Sequence, residues 1–507
     1  MTPHRNSSAQ TPGPTPGGRA GGLPPGVAPV ATVVILGAVM TLLDSTIVNV
    51  ALRTLGLDLH ASVSDVQWVV TAYLLAVAAA IPCTGWLARR LGARRMYLAA
   101  VVAFTVGSAL CGLSQSLGQL VAARALQGVG GGMVLPIGQM MLAGRAGPKN
   151  MARVMSVIGV PIVLAPVFGP TLGGLLLDYA DWRWIFYVNV PICVAVVALG
   201  LRLLPRGEPE RVGRLDLSGL LTVAGGMVAV TYGLAEVGAT GGWTSPTVLG
   251  WISGGVLLLV VHVLRALRVA HPLLDVRLYR GKVFGAASLS TFSIGAALYG
   301  SMILLPLYYQ TVRHESPVAT GLLIAPSGIG AAVANGLTGR LTERLGSGRT
   351  AMIGGLVTMA GTVPFALLGA DSPYTLLCPA MALRGFGVGL AMMPAMTAAY
   401  ATLSREKIAD ATPQLSVLRQ VGGSVGIALF TVVLKTRLDA AGHDPASSAH
   451  AFGTTWWWVL AVTGIATLPT LLLARSEQRA KASAAGPAPA AVPEPAGASG
   501  PPTGAPQ

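Results

Sequence analysis

The sequence predicts an all-α polytopic membrane protein of 14 transmembrane helices arranged 6 + 2 + 6. Three observations carry this prediction. The 507 residues are 53% hydrophobic but only 10% charged, against about 25% charged in soluble domains. The apolar residues fall in blocks of the length that crosses a bilayer, roughly 20 residues each. Finally, motifs in the first part of the chain recur in the last part at nearly constant spacing.

The first six blocks cover residues 30–52, 66–88, 96–113, 117–142, 151–177 and 184–204. A polar loop at 205–215 leads to two further blocks, 217–237 and 246–267, and then to a basic amphipathic connector at 268–282. The last six blocks cover 283–310, 317–341, 350–370, 374–402, 412–435 and 454–474. The first block is too long for the apolar core of a cleaved signal peptide. Segments 1–29 and 475–507, rich in Pro, Gly, Thr and Ala, read as disordered tails. The domain reading is therefore a tail (1–29), a six-helix bundle (30–204), a two-helix insert (205–282), a second six-helix bundle (283–474) and a tail (475–507).

The formal charge of +15 comes from 34 Lys and Arg against 19 Asp and Glu. In a soluble protein it would point to nucleic acid; here it is a topology signal, and no nucleic-acid partner is expected. With both tails cytoplasmic, 26 of the 34 basic residues fall in the tails and even-numbered loops, where the positive-inside rule retains them. The outer loops hold Arg53, Arg183, Arg313, Lys435 and Arg437. The expected location is the plasma (inner) membrane, multi-pass, with both termini cytoplasmic. Cys83, Cys111, Cys193 and Cys378 lie in apolar blocks without CxxC spacing or a His cluster, so they read as small buried hydrophobes. An enzyme is not expected: the sequence has no HExxH and no GxxxxGK[ST]. Without such a motif, no ATP-driven work is expected.

Asp44 is the one acidic residue deep inside a block, about 14 residues or roughly 21 Å from the start of the first span. An ionised carboxylate at that depth is costly, so it is expected either to face a cavity and exchange a proton or to serve as a structural carboxylate paired with a neighbour. Arg124 and Gln127 lie three residues apart on one helical face. Arg384 and Arg419 occupy Gly-rich stretches near helix ends and read as structural. Met133, Met140, Met141, Met392, Met393 and Met396 sit on the fourth and twelfth blocks, where flexible thioethers suit either a permissive cavity or ordinary packing. Glu236 reads as solvated and His262 as a satisfied helix-face histidine.

The internal repeat is specific. GWLARRLGARR begins at Gly85 and GRLTERLGSGR at Gly339, 254 residues later; RALQGVGGG begins at Arg124 and RGFGVG at Arg384, 260 later. LDSTIVNVAL (43–52), APVFGPTLGG (165–174), WRWIFYVNVP (182–191), HPLLDVRLY (271–279) and LRQVGGSVGIALF (418–430) complete the set. Through these motifs, from about residue 43 to 474, the chain resembles the major facilitator superfamily, specifically its 14-span drug:proton antiporter type.

The resemblance implies two halves that rock about a site near mid-membrane and a monomeric exporter exchanging small amphipathic drugs or antibiotics for protons, with no cofactor. A facilitator or proton symporter of a small nutrient or metabolite is the competing reading on the same fold. The implied proton-coupling residues are Asp44 and Arg124. The expected substrate cavity comprises Asn49, Tyr73, Gln127, Met133, Met392 and Met396. The antiporter motif comprises Gly159, Pro166, Gly169, Pro170, Gly173 and Gly174, thought to seal the path against leak. The expected cytoplasmic gate comprises Gly85, Arg89, Arg90, Gly92, Arg94, Gly339, Glu343, Arg344 and Gly346. Where the family carries an acidic residue in the first loop motif this chain has Arg89, and where it carries Pro this chain has Arg53. The first departure implies an altered balance between the two access states.

Overall fold

The computed structural model describes residues 26–484 except 207, 208, 211, 241, 271, 402, 404, 442 and 443; the outer parts of both expected tails lie outside this set. Among the described residues every regular element is helical. In chain order these are α1 (Ala28–Asp58), α2 (Val63–Val66), α3 (Trp68–Ala80), α4 (Thr84–Leu91), α5 (Ala93–Leu113), α6 (Leu117–Tyr179), α7 (Trp184–Tyr187) and α8 (Asn189–Leu203). There follow α9 (Leu217–Thr240), α10 (Pro246–Ala266), α11 (Lys282–Thr311), α12 (Pro317–Leu345), α13 (Ser347–Ala366), α14 (Tyr374–Ala401), α15 (Arg405–Ala441) and α16 (Pro445–Ala484).

Local chemistry sets the helix ends. Ser62, Ser116 and Ser316 accept from backbone N–H groups three residues on, satisfying donors that the first turn leaves free. Pro82 lies in a 3₁₀ turn, Ile81–Cys83, that divides the second sequence block into α3 and α4. At the two copies of the repeated loop, Gly92 and Gly346 have φ of 88° and 90° and separate α4 from α5 and α12 from α13. That region favours glycine, so the repeat seen in sequence is a repeat of backbone geometry. The expected boundary at residue 474 is corrected: α16 continues to Ala484, because the Ala, Arg, Glu, Gln and Lys beyond it are good helix formers.

The blocks at 117–142 and 151–177 are joined in one helical run, α6. This run folds back. Arg124 reaches Asp44, and a Cβ at Gly169 would strike Thr46, two residues further along α1; 45 residues of straight helix would separate Arg124 and Gly169 by about 68 Å.

Twelve helical segments among the described residues are long and apolar enough to cross a membrane. The expected fourteen included two more. One, 151–177, is the second arm of α6, most of whose side chains lie outside the described set. The other, 350–370, corresponds to α13, which opens on Ser347, Gly348 and Arg349 and ends at Ala366, short of Leu367 and Leu368. Its glycines have a packing role: Gly354 and Gly361 lie against α14, and Gly348 and Gly355 against α16, the close helix approach that small residues permit in a bilayer.

The end carrying loops 85–95 and 339–349 is hereafter the basic end. There one apolar cluster joins Val34, Tyr97 and Met141 of the first half to Phe284, Met393 and Leu415 of the second. At the opposite end the clusters separate. Ile47, Leu55, Leu120 and Phe186 belong to one, and Leu304, Tyr308, Phe365 and Trp456 to another. The halves therefore share a core at the basic end and keep separate cores at the other. The α9–α10 hairpin packs beside both, with Met227 against Ala78 of α3 and Val237 clustering with Ala428 of α15. Arg265 pairs with Asp216 at 2.7 Å to clasp its base.

The α5–α6 contact is tight: a Cβ at Gly107 would lie 2.6 Å from the Gln127 Cα. Gly107→Ala is expected to destabilise the protein by about 1–3 kcal/mol and lower its thermal midpoint in detergent. Gly254→Ala on α10, where a Cβ meets nothing, is expected to leave the midpoint unchanged. A G107A midpoint equal to wild type would contradict this packing.

Candidate functional site

Asp44 is fully buried on α1 and accepts from three side chains. Arg124 Nη1 donates to Oδ2 at 2.7 Å, while Gln127 Nε2 and Asn189 Nδ2 donate to Oδ1 at 2.9 and 2.8 Å. Each donor is held in turn. Arg124, 1% exposed, donates from Nε to the Val69 carbonyl at 3.1 Å and from Nη1 to Gln127 Oε1 at 2.7 Å. Asn189 also donates to Ser108 Oγ at 3.0 Å, and that hydroxyl donates to the Phe186 carbonyl at 2.9 Å. The Arg124 guanidinium lies 4.2 Å from the Tyr73 ring centroid, over its electron-rich face. Three helices, α1, α6 and α8, thus meet on one carboxylate, and α3 and α5 hold its donors.

The helical spacing explains why Arg124 and Gln127 act together: three residues apart, both present to α1 from one face of α6. Gly107 lets α5 approach them, and Gly128, whose Cβ would strike the Tyr73 carbonyl, lets α3 do so. Sequence reasoning found Asp44 and Arg124 but missed Asn189 and Ser108. Asn189 carried a signal, being a polar residue at the head of an apolar block inside WRWIFYVNVP. Ser108 carried none.

Of the six residues expected to line a substrate cavity, Tyr73, Met133, Met392 and Met396 belong to one apolar cluster shared by the two halves. Tyr73 and Gln127 belong to the Asp44 network. Asn49 is exposed, its amide turned back to the Ser45 carbonyl at 3.2 Å. Met133 packs in the shared apolar cluster. Met392 and Met396 line a cavity in the second half with Thr291 and Arg419.

Of the antiporter-motif glycines, Gly159 faces Asn335 and Met393 across the junction between halves, and Gly169 and Gly173 face Thr46 and Ile47 of α1. Gly174 has open space, and the side chains of Pro166 and Pro170 lie outside the described set.

At the expected gate, Arg89 pairs with Asp410 of α15 at 2.9 Å and its carbonyl accepts from the Glu210 N–H at 2.8 Å. A Cβ at Gly85 would strike the Ala409 carbonyl, so glycine brings α4 against α15 there. Arg94 donates to the Leu201 carbonyl. Gly339 is buried, whereas Arg90, Glu343 and Arg344 are exposed. Asp410, just before the thirteenth sequence block, is the partner that sequence reasoning missed.

Helix α15 carries one GxSxG spacing. Residues 422–426 read GGSVG, the GxSxG spacing of a nucleophile elbow. They lie within helix α15, not on a strand-to-helix turn; Ser424 donates to the Gln420 carbonyl, and Gly422 and Gly426 abut Phe292 and Ala296 of α11.

Removing the Asp44 carboxylate strands a buried guanidinium. Asp44→Ala is expected to cost about 3–5 kcal/mol. Asn189→Ala, which leaves two donors on the carboxylate, is expected to cost about 1–3 kcal/mol. Thermal unfolding of both purified variants checks the order, and a smaller loss for D44A than for N189A would sink it.

Residues 34–427 match the Major Facilitator Superfamily. The multidrug resistance protein B homolog of Mycobacterium tuberculosis (strain ATCC 25618 / H37Rv) is 38% identical, over 80% of this chain and 75% of the relative. Puromycin resistance protein pur8 of Streptomyces alboniger is 36% identical, over 85% and 87%. Among solved structures, the human organic anion transporter MFSD10 (TETRAN) superposes with a TM-score of 0.61 at 17% identity, covering 89% of this chain and 100% of that one. A double Trp mutant of XylE superposes at 0.62 with 14% identity, covering 87% and 94%. These two likenesses establish the fold alone. The helical architecture, the matched family region and the resistance-protein relatives together place the chain in the Major Facilitator Superfamily, within its multidrug efflux transporter family.

Proposed function

We propose that this protein is a proton-coupled exporter of amphipathic drugs or antibiotics, with 14 spans in a 6 + 2 + 6 arrangement and both termini on the cytoplasmic side of the plasma membrane. The observation that carries the coupling is Asp44, fully buried and receiving three donated hydrogen bonds. The relatives named for multidrug and puromycin resistance support the direction and the cargo class.

In this mechanism the sealed network is the ionised form of Asp44, since all three contacts are donations to its oxygens. A proton arriving from outside cancels the charge that Arg124 faces, and α1, α6 and α8 lose the attraction that holds them together. Reopening toward the cytoplasm releases the proton, and the cargo binds as the carboxylate recharges. The proton gradient supplies the energy, and no cofactor takes part. One coupling carboxylate implies one proton per cycle. One pH unit then contributes about 1.4 kcal/mol, and 100 mV about 2.3 kcal/mol for each net charge moved. Substrate-induced proton release from the purified protein tests this: wild type is expected to release one proton per bound drug and Asp44→Asn none. Equal release by both proteins would place coupling elsewhere.

With the basic end cytoplasmic, a core shared there and divided at the other end corresponds to an outward-facing state. Arg89 and Asp410 then form a clasp that closes the cytoplasmic side. Because the pair is partly exposed, its value is on the order of 1 kcal/mol, or about fivefold in the balance of states. Arg89→Glu and Asp410→Arg are each expected to reduce drug efflux from vesicles by about that factor, and the double reversal to restore it. A double variant as poor as the singles would mean that the pair does not set the balance.

A further inference from the structure

At the basic end the α9–α10 hairpin is attached to both halves through the chain on either side of it. Glu210 and Gly213 precede α9. The Glu210 N–H donates to the Arg89 carbonyl at 2.8 Å, and the Gly213 carbonyl accepts from Trp86 Nε1 at 3.1 Å, both on α4 of the first half. Asp275 and Arg277 lie between α10 and α11. The Asp275 carbonyl accepts from Gln414 Nε2 on α15 of the second half at 3.2 Å. One attachment is thus on Arg89 itself and the other is one helical turn from Asp410, so the two flank the Arg89–Asp410 pair.

Between these attachments the insert is joined without a break. Asp216 Oδ1 accepts from the Gly219 N–H at 2.9 Å at the start of α9, and its Oδ2 accepts from Arg265 Nη1 at 2.7 Å at the end of α10. Arg277 Nη2 donates to the Leu267 and Val269 carbonyls at 3.1 and 2.9 Å, which ties the segment before α11 to that same end. Val223, Met227, Leu273 and Leu274 form one apolar cluster with Ala78 of the first half, and Trp86 of α4 and Val417 and Val421 of α15 pack against it.

We infer that the two-helix insert is a strap across the cytoplasmic gate, fastened to α4 at one end and to α15 at the other. The strap rests on the alternating-access reading above, in which the basic end parts in each cycle. Because it spans the seam, opening must break one of its attachments, and the weaker gives way. That is the one at Gln414: it is a single hydrogen bond against two, and the same Nε2 also donates to the Asp410 carbonyl of its own helix at 3.1 Å. The strap therefore favours the closed gate by the value of about one hydrogen bond, roughly fivefold in the balance of states. A latch of that size biases the cycle without arresting it.

Attachments in series leave a signature that independent contacts do not. Once either is gone, opening no longer has to break the other, so removing both does no more than removing one. The test is the distance between spin labels at Arg95→Cys and Arg349→Cys, exposed and equivalent positions of the two repeated loops, in full-length protein in nanodiscs with the four native cysteines replaced. Gln414→Leu removes the second attachment, and Trp86→Phe with Glu210→Pro removes both hydrogen bonds of the first. Each change is expected to raise the ratio of long to short distances about fivefold, and the combination to raise it by the same factor. An unchanged ratio after either would overturn the strap. So would a combined effect of about 25-fold, the product that independent contacts give. The readout involves neither drug nor proton: a protein that opens as expected yet exports nothing removes the export reading alone, and one that exports while its ratio ignores both changes removes the strap alone.

Discussion

A carboxylate and a guanidinium buried side by side in a membrane-spanning bundle commit everything around them. Either charge alone is costly in that setting; Asp44 and Arg124 meet, and their remaining bonding capacity is filled by Gln127, Asn189, Val69 and Ser108. That meeting fixes the rotation of five helices. The glycines at 107 and 128 are the geometric condition for it, since side chains there would hold α5 and α3 away from α6. The same arrangement is responsive, because changing the charge of one group removes the reason for the others to stay where they are.

The two halves are alike in backbone and unlike in charge. Gly92 and Gly346 adopt the same left-handed geometry in equivalent loops, and Arg124 and Arg384 occupy equivalent places on α6 and α14. The first half closes its arginine with an acid and the second with a serine hydroxyl. A repeat can therefore preserve the mechanical frame, which depends on glycine packing and turn geometry, while dividing the chemistry between halves.

Closure at the basic end depends on a different kind of interaction. Apolar burial shared between Met141, Met393 and Leu415 supplies the area, but it is non-directional. The Arg89–Asp410 pair and the Gly85–Ala409 approach supply the register. Arg89, at the position where the resemblance implies an acid, is paired with an aspartate on the opposite half.

How much was legible in advance follows from the range of each interaction. Span positions, the repeated loops and the candidacy of Asp44 and Arg124 were visible, because apolar runs, turn glycines and charges within apolar runs are local properties of the chain. The divided second block was foreshadowed by Pro82, whose effect is equally local. Asn189, Ser108 and Asp410 as partners, the fold-back of α6 and the missing carboxylate at Arg384 were decided by tertiary structure alone. These depend on contacts between residues 80 or more apart, such as Asp44 with Arg124 and Asn189. Such contacts are set by the rotation and register of packed helices, to which hydropathy is blind: turning a helix by half a turn leaves its composition unchanged and moves every polar side chain to the opposite face.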